Sequence, residues 1–231
     1  MKGQIVYIKG HKESEKQARD SYKTFISNGW DVQLVQGITP KTLDESEFDY
    51  PLIEGGRLHD MKSKGESKYF IKKSCISNQI RMWRKCVEEN VTMVFIEHDA
   101  ICISPMKYEV DELLCLNIDY AFKPPSVLAN YPNLNSYMPP PTIAPQPLAD
   151  EYPLLYYKAN KYKGSKMIPG TAAYAISPKG AKKLLECAEK NGIDQSDFFI
   201  NTYNIKIDYV TPSPVKFNGV NLNTSHGFKV N

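Results

Sequence analysis

The chain has 231 residues, of which 42% are hydrophobic and 24% are charged, and its formal net charge is +3. This length fits one large domain, and the apolar fraction is sufficient for a core, which excludes a disordered chain. No segment approaches the ~18–20 apolar residues of a membrane span, and the N-terminus lacks a signal-peptide pattern. Five cysteines without a Cys-x-x-Cys pair disfavour a structural zinc site or a disulfide framework. We therefore expect a protein of the reducing cytoplasm.

The first part of the chain alternates between strand and helix patterns. The predicted elements are a strand at 3–8, a helix at 13–28, a strand at 31–36, a loop at 40–68, a helix at 72–90 and a strand at 91–96. Strand–helix–strand units with short connections are typical of an α/β fold with a parallel sheet. The Gly-rich fingerprints of dinucleotide and P-loop sites are absent from the sequence.

The second part is interrupted by a long insertion. Residues 124–153 hold nine of the sixteen prolines and are predicted to form a loop rather than a core element. Around this loop the predicted elements are a strand at 119–123, a strand at 171–176, a helix at 178–191, a helix at 195–203, a strand at 206–210 and a loop-like tail at 211–231. No internal repeat or second domain is evident, so we predict a single domain over residues 1–231.

The strongest chemical signal is Glu97-His98-Asp99, which follows the hydrophobic strand at 91–96. In open α/β sheets, ligands bind beyond the carboxyl ends of the strands. Two acids one residue apart at such an edge can bind a divalent cation together with a sugar diphosphate. His98 alternates with the two acids and is expected to be a structural histidine.

Several segments together resemble glycosyltransferase family 25, the lipooligosaccharide-type and procollagen galactosyltransferase-like sugar transferases. They are Cys75–Trp83, Val94–Asp99, Gly170–Ser177 and Gln195–Ile200, and their order and spacing match the family. The resemblance implies a single GT-A-like nucleotide-sugar-binding domain with a mostly parallel central sheet flanked by helices. It implies a Mn²⁺- or Mg²⁺-dependent transfer of a sugar from a nucleotide-sugar donor, expected to be a UDP-sugar, to an acceptor hydroxyl with inversion.

The resemblance also suggests roles for individual residues. Asp99 is expected to bind the metal, and Glu97 the metal, a metal-bound water or the ribose. Many GT-A enzymes complete the metal site with a C-terminal histidine, here His226, although a histidine on a free tail is the alternative. Asp197 is the candidate general base, although an acid is also typical of a first helical turn. The predicted nucleotide-binding residues are Ile8, His11, Arg19 and Gly37, and the candidate diphosphate-binding cations are Arg81, Lys163 and Lys166.

Two departures from the family pattern leave alternatives open. Asn78 stands where the family has histidine, and the acidic triplet contains His98. A non-catalytic nucleotide-sugar or nucleic-acid binding module on the same scaffold is therefore an alternative to an enzyme. The acceptor is open too, because the segment 57–86 holds nine basic residues against two acids. A glycan or lipooligosaccharide is the family default, and DNA with hydroxymethylated pyrimidines, as in phage DNA modification, is the alternative that fits a basic surface.

Overall fold

The computed structural model describes residues 1–105, 108–120, 146–147, 162, 164–168 and 170–217. The strands are β1 (Lys2–Tyr7), β2 (Val32–Gln36), β3 (Met93–Glu97), β4 (Ala100–Cys102), β5 (Leu113–Cys115), β6 (Gln146–Pro147), β7 (Ala173–Ile176), β8 (Ile207–Tyr209) and β9 (Val215–Phe217). The helices are α1 (Lys12–Ser27), α2 (Arg57–Ser63), α3 (Tyr69–Glu89), α4 (Pro178–Asn191) and α5 (Ser196–Phe199), with a 3₁₀ turn at Ile118–Tyr120.

Within the described residues, seven strands form one central sheet in the order β2-β1-β3-β7-β5-β8-β6. Strand β1 is parallel to β2 and β3, and β8 is parallel to β5, whereas β7 is antiparallel to both β3 and β5. Five of the seven strands therefore point the same way, with β7 and β6 reversed. This confirms the predicted α/β fold with a mostly parallel central sheet, and it brings the carboxyl ends of β1, β2 and β3 to one edge.

Helices cover both faces of the sheet because its central strands are apolar on both sides. In β3, Met93 and Phe95 face the core formed with α3 and α4, whereas Val94 and Ile96 face the core formed with α1. A strand buried on both faces reads as a continuous hydrophobic run, which is how the sequence revealed it. No helix in the described part of the chain is long and apolar enough to span a bilayer.

The predicted loop at 40–68 contains a helix that local sequence did not reveal. The carboxylate of Asp194 accepts the backbone N–H groups of Arg57 and Leu58, at 2.9 and 2.7 Å, at the start of α2. This cap comes from a residue 137 positions away in the chain, so no local pattern announces the helix. Leu58 and Met61 are then buried in the main core.

Three further predictions of local structure need correction. The predicted strand at 119–123 begins as a 3₁₀ turn at 118–120, and the strand of this region is β5, at 113–115. The predicted helix at 195–203 is helical only over α5. The tail was expected to be loop-like, but β9 pairs with β4 at its start. In each case a tertiary strand partner or buried contact decides the outcome. Of the proline-rich segment 124–153, only 146–147 lies within the described residues.

A buried hydrogen-bond chain joins α3 to β7. Trp83 Nε1 donates to the hydroxyl of Tyr174 at 2.9 Å, and this hydroxyl donates to Oε1 of Gln79 at 3.0 Å. Gln79 Nε2 in turn donates to Oγ1 of Thr171 at 3.3 Å. Each polar group thereby finds a partner inside the core, which specifies how α3 is placed against the sheet.

We predict that Tyr174→Phe lowers the free energy of unfolding by about 1–3 kcal/mol, because it leaves Trp83 Nε1 and Gln79 Oε1 buried without a partner. Chemical denaturation measures this change. The matched control is Tyr22→Phe, at a side chain that is 37% exposed; its effect should stay within about 0.5 kcal/mol. Equal effects of the two substitutions would contradict the assigned chain.

Candidate active site

A cavity lies at the edge of the sheet where β1, β2 and β3 end. Its walls come from the residues after β1 and β2, from the first half of α3 and from the start of α5. The apolar part of the wall includes Ile8, Ile38 and Phe95, and the polar part includes Glu97 and Asp197. Ligands of open α/β sheets bind at this type of edge. The structure thus brings together segments that are a hundred residues apart in the chain.

The carboxyl groups of Glu97 and Asp197 both line this cavity. The pKa of Glu97 is raised from 4.5 to about 8, chiefly by burial and further by the negative charges of Asp99 and Asp197. The positive charge of Lys72, which also lines the cavity, lowers the pKa of Glu97. Negative charge on Glu97 is therefore unfavourable beside Asp99 and Asp197 unless further positive charge is supplied.

Asp99 and His98 lie next to Glu97 and carry unused hydrogen-bonding atoms. Oδ1 of Asp99 and Nε2 of His98 are buried, and neither has a hydrogen-bond partner among the described residues. Burial raises the pKa of Asp99, whereas the charge of His98 lowers it. Burial lowers the pKa of His98. His98, which was expected to be a structural histidine, lines the cavity together with Glu97, whereas Asp99 is not among the lining residues.

The donor chemistry of Glu97 and Asp99 suits a hard divalent cation, which prefers carboxylate oxygens. Two observations support this fit: Oδ1 of Asp99 is buried without a hydrogen-bond partner, and the pKa of the neighbouring Glu97 carboxyl is raised. Within the described ranges no three His, Cys, Asp or Glu side chains form a group that could hold a metal. Phe217 in β9 pairs with Ala100, next to Asp99. The predicted third ligand, His226, lies outside the described residues.

Two of the four predicted nucleotide-binding residues line the cavity, and the other two do not. Ile8 and Gly37 line the cavity. His11 instead caps α1, where its Nδ1 accepts the backbone N–H of Ser14 at 3.1 Å, although its charge acts on His98. Arg19 is exposed on α1 and is not one of the residues that line the cavity. The helical periodicity of α1 places position 19 away from the buried face of Ala18 and Phe25.

Asn78, the departure from the family pattern, holds the loop after β2. Its Oδ1 accepts the backbone N–H of Ile38 at 2.7 Å, and its Nδ2 donates to the carbonyl of Ile38 at 2.9 Å. The side-chain amide thus pairs with the backbone as a strand partner would. Because Gly37 and Ile38 line the cavity, this pair positions part of the wall.

The side chains predicted to bind the diphosphate do not line the cavity where the structure describes them. The guanidinium of Arg81 donates to the Gln36 carbonyl at 2.8 Å and to Asn78 Oδ1 at 3.1 Å, and Arg81 does not line the cavity. Lys166 does not line it either, and Lys163 lies outside the described residues. Sequence analysis missed Lys72, which does line the cavity. Its spacing from Cys75 and Gln79, three and seven positions, is the helical signal that places it on the same face.

We predict that Glu97→Gln changes how the stability of the metal-free protein depends on pH. Because folding raises the pKa of Glu97 from 4.5 to about 8, protonation stabilises the folded state. This contribution is fully present below the unfolded pKa and is lost as pH rises through the folded pKa. At roughly 1.4 kcal/mol per pKa unit, the variant should be more stable than the wild type at pH 8 by up to several kcal/mol.

Urea denaturation in the presence of chelator, repeated from pH 4.5 to pH 8, measures this difference across the pKa range of Glu97. The exposed Glu54 provides the control, since Glu54→Gln should leave the pH profile of stability unchanged. If the unfolding free energies of Glu97→Gln and the wild type depend on pH in the same way, the raised pKa assigned to the buried Glu97 carboxyl is wrong.

Comparison with known proteins agrees with this geometry. The family model described as glycosyltransferase family 25 (LPS biosynthesis protein) matches residues 6–200. The matched range runs from β1 through α5 and contains every described wall of the cavity. No curated protein shows significant similarity to the chain. Since the match covers most of its length, the chain belongs to glycosyltransferase family 25, and it is a glycosyltransferase.

Proposed function

We propose that this glycosyltransferase moves a sugar from a UDP-sugar to a hydroxyl of a glycan acceptor, with a divalent cation and with inversion at the anomeric carbon. The observation that carries the proposal is the cavity at the carboxyl edge of the sheet, where Glu97, Asp197 and Lys72 meet. Both signs of charge in one cleft suit a donor that combines an anionic diphosphate with a polar sugar. Family membership favours this enzyme over a non-catalytic binding module.

The apolar wall supports binding of the nucleoside part of the donor. Ile8, Ile38 and Pro40 line the cavity beside Gly37, whose Cα lies close to the carbonyl of Tyr7 and to the side chain of Val6. A side chain at position 37 would place its Cβ only 3.1 Å from that carbonyl oxygen and narrow the cleft. The choice of uridine rests on the family resemblance, and the donor comparison below tests it.

Glu97 and Asp99 are the residues that would hold Mn²⁺ or Mg²⁺, with His226 as the proposed third ligand. A cation bound there supplies positive charge that stabilises the departing nucleoside diphosphate. The support for this assignment is the unpaired Oδ1 of Asp99 and the mutual repulsion between Glu97 and Asp99. A cation would remove that repulsion.

Asp197 is the proposed general base. The acceptor oxygen forms a bond to the anomeric carbon while the bond from that carbon to the diphosphate oxygen breaks. The acceptor proton passes to the Asp197 carboxylate, and the electron pair leaves with the diphosphate. Asp197 is partly exposed to the cavity, where an acceptor can enter. Burial raises the pKa of the Cys75 thiol to about 11, so it stays protonated and does not compete as a nucleophile.

A glycan of the lipopolysaccharide type is the acceptor that we propose, in line with the description of the family. The described surface gives less support to DNA. In the basic segment 57–86 only some of the cations are free to meet a phosphate backbone. The exposed ones are Arg57, Lys62, Lys64 and Lys68. Lys72 and Lys73 are buried, Arg81 and Arg84 bond within the chain, and Lys85 forms an ion pair with Glu89.

We predict that donor binding depends on metal and on Asp99. Calorimetry with UDP and several UDP-sugars should show affinity in Mn²⁺ that falls about tenfold or more with chelator, because one charge-assisted contact contributes about 1.5–3 kcal/mol. Asp99→Asn should bind UDP equally weakly with and without Mn²⁺. Asp20→Asn, at an exposed carboxylate of α1, is the control and should behave as wild type. Metal-independent binding by the wild-type protein would contradict the proposed cation.

We predict that Asp197→Asn lowers kcat for sugar transfer by about 10²–10⁴-fold, the usual contribution of a general base. Donor affinity should change little, because the substitution keeps the side-chain volume and the base acts on the acceptor. Transfer assays with radiolabelled donor compare lipooligosaccharide acceptors with hydroxymethylated duplex DNA. Loss of donor binding instead of kcat would reassign Asp197 to the donor site, and salt-sensitive transfer to DNA alone would replace the glycan acceptor.

A further inference from the structure

Lys72 is a buried cation in the cavity wall. Its residue is only 8% exposed, and it extends from the first turn of α3 into the lining of the cavity. No described side chain forms an ion pair or a hydrogen bond with its amino group. Its charge nevertheless acts on the Glu97 carboxyl and the Cys75 thiol. An amino group that lines a cavity and forms no ion pair with a described side chain is available to a ligand that brings negative charge.

The other cations near α3 have different surroundings. Arg81 and Arg84 donate to backbone carbonyls, of Gln36 and Glu47 respectively. Lys73, the next residue along the helix, is also buried, but its charged neighbours are Glu45, Asp49 and Lys62 and it does not line the cavity. Among the described lining residues Lys72 is thus the only lysine or arginine.

We propose that Lys72 binds the diphosphate of the donor and stabilises the negative charge of the departing nucleoside diphosphate, a role that rests on the proposed function. The carboxyl groups of Glu97 and Asp197 would otherwise repel a diphosphate from this cavity. The ammonium group of Lys72, which lines the same cavity, offsets this repulsion. Ammonium-to-phosphate hydrogen bonds are charge-assisted, and they are among the stronger contacts that a side chain can make.

This assignment also predicts which ligands the site distinguishes. A lysine is a compact point charge, so it binds phosphate oxygens without regard to the attached nucleoside. Affinity should therefore increase with the charge of the phosphate group, so that UDP and inorganic pyrophosphate bind more tightly than UMP. The affinity for uridine should not change when Lys72 is substituted.

The test compares Lys72→Met with Lys73→Met, which removes the same charge one residue further along the helix. Calorimetry of the full chain with Mn²⁺ uses UDP, inorganic pyrophosphate and uridine as probes. Lys72→Met should weaken UDP and pyrophosphate about 10- to 100-fold and leave uridine unchanged, because one charge-assisted hydrogen bond is lost. Lys73→Met should leave all three affinities within about twofold, a range expected for a residue without ligand contact. Lys72→Arg, which keeps the charge, should recover part of the loss.

A second measurement needs no substitution. Acetylation of lysines in the wild-type protein, followed by mass spectrometry, should be slowed at Lys72 by pyrophosphate and by UDP but not by uridine. The rate at the exposed Lys62 and Lys68 should be unaffected by any of the three.

The outcomes separate this proposal from the proposed function. If the wild-type protein transfers sugar but Lys72→Met binds UDP and pyrophosphate normally, the role of Lys72 is wrong and the transferase proposal stands. A changed pH profile of activity with unchanged pyrophosphate affinity also overturns it, since Lys72 would then only balance the charge of Glu97. If pyrophosphate binds through Lys72 but no UDP-sugar binds, the anion site stands and the donor proposal fails. If the wild-type protein binds none of the probes, both proposals fail.

Discussion

The burial of the Glu97 carboxyl at the end of β3 is the constraint on which the site depends. An acid in this position is held in a cleft next to Asp99 and Asp197, and its pKa rises to about 8 as a result. Such a group destabilises the folded state when it is charged, unless positive charge is supplied nearby. Lys72 supplies positive charge from the same cavity lining, and the proposed divalent cation would supply more. The same arrangement that costs stability in the metal-free protein is the basis of the proposed affinity for a cation and a diphosphate.

Helix α3 connects this constraint to the rest of the fold. Its buried face packs against the sheet through Ile76, Ile80 and Trp83, while its cavity side presents Lys72 and Asn78. The hydrogen bonds from Trp83 through Tyr174 to Gln79, and on to Thr171, determine how the helix lies over β7. Since a side chain such as Lys72 reaches its ligand only if the helix axis is well placed, core packing and ligand binding are parts of one arrangement.

The loop after β2 shows how a departure from a family pattern can be accommodated. Asn78 uses both ends of its amide to bind the backbone of Ile38, and it also accepts a hydrogen bond from Arg81. Arg81, in turn, is held at the carbonyl that ends β2. These polar contacts stabilise the segment that forms the proposed nucleoside wall. The substitution therefore supports a structural role for position 78, and it does not by itself argue for a protein that has lost its activity.

Much of the site could be predicted from the sequence because its chemistry is concentrated at the end of a recognisable strand. The hydrophobic run before Glu97-His98-Asp99 and the helix before that run could be predicted from local periodicity. Asp197 was proposed because its motif resembles that of the family. Tertiary structure decided what depends on partners that are distant in the chain: α2 forms because Asp194 caps it, and β9 forms because it pairs with β4. It also showed that Arg19 lies on the exposed side of α1 and that Lys72, rather than Arg81, lines the cavity. The sequence specifies which residues share a helical face. Only the packing of the elements determines which face meets a cavity and which cation has no partner there.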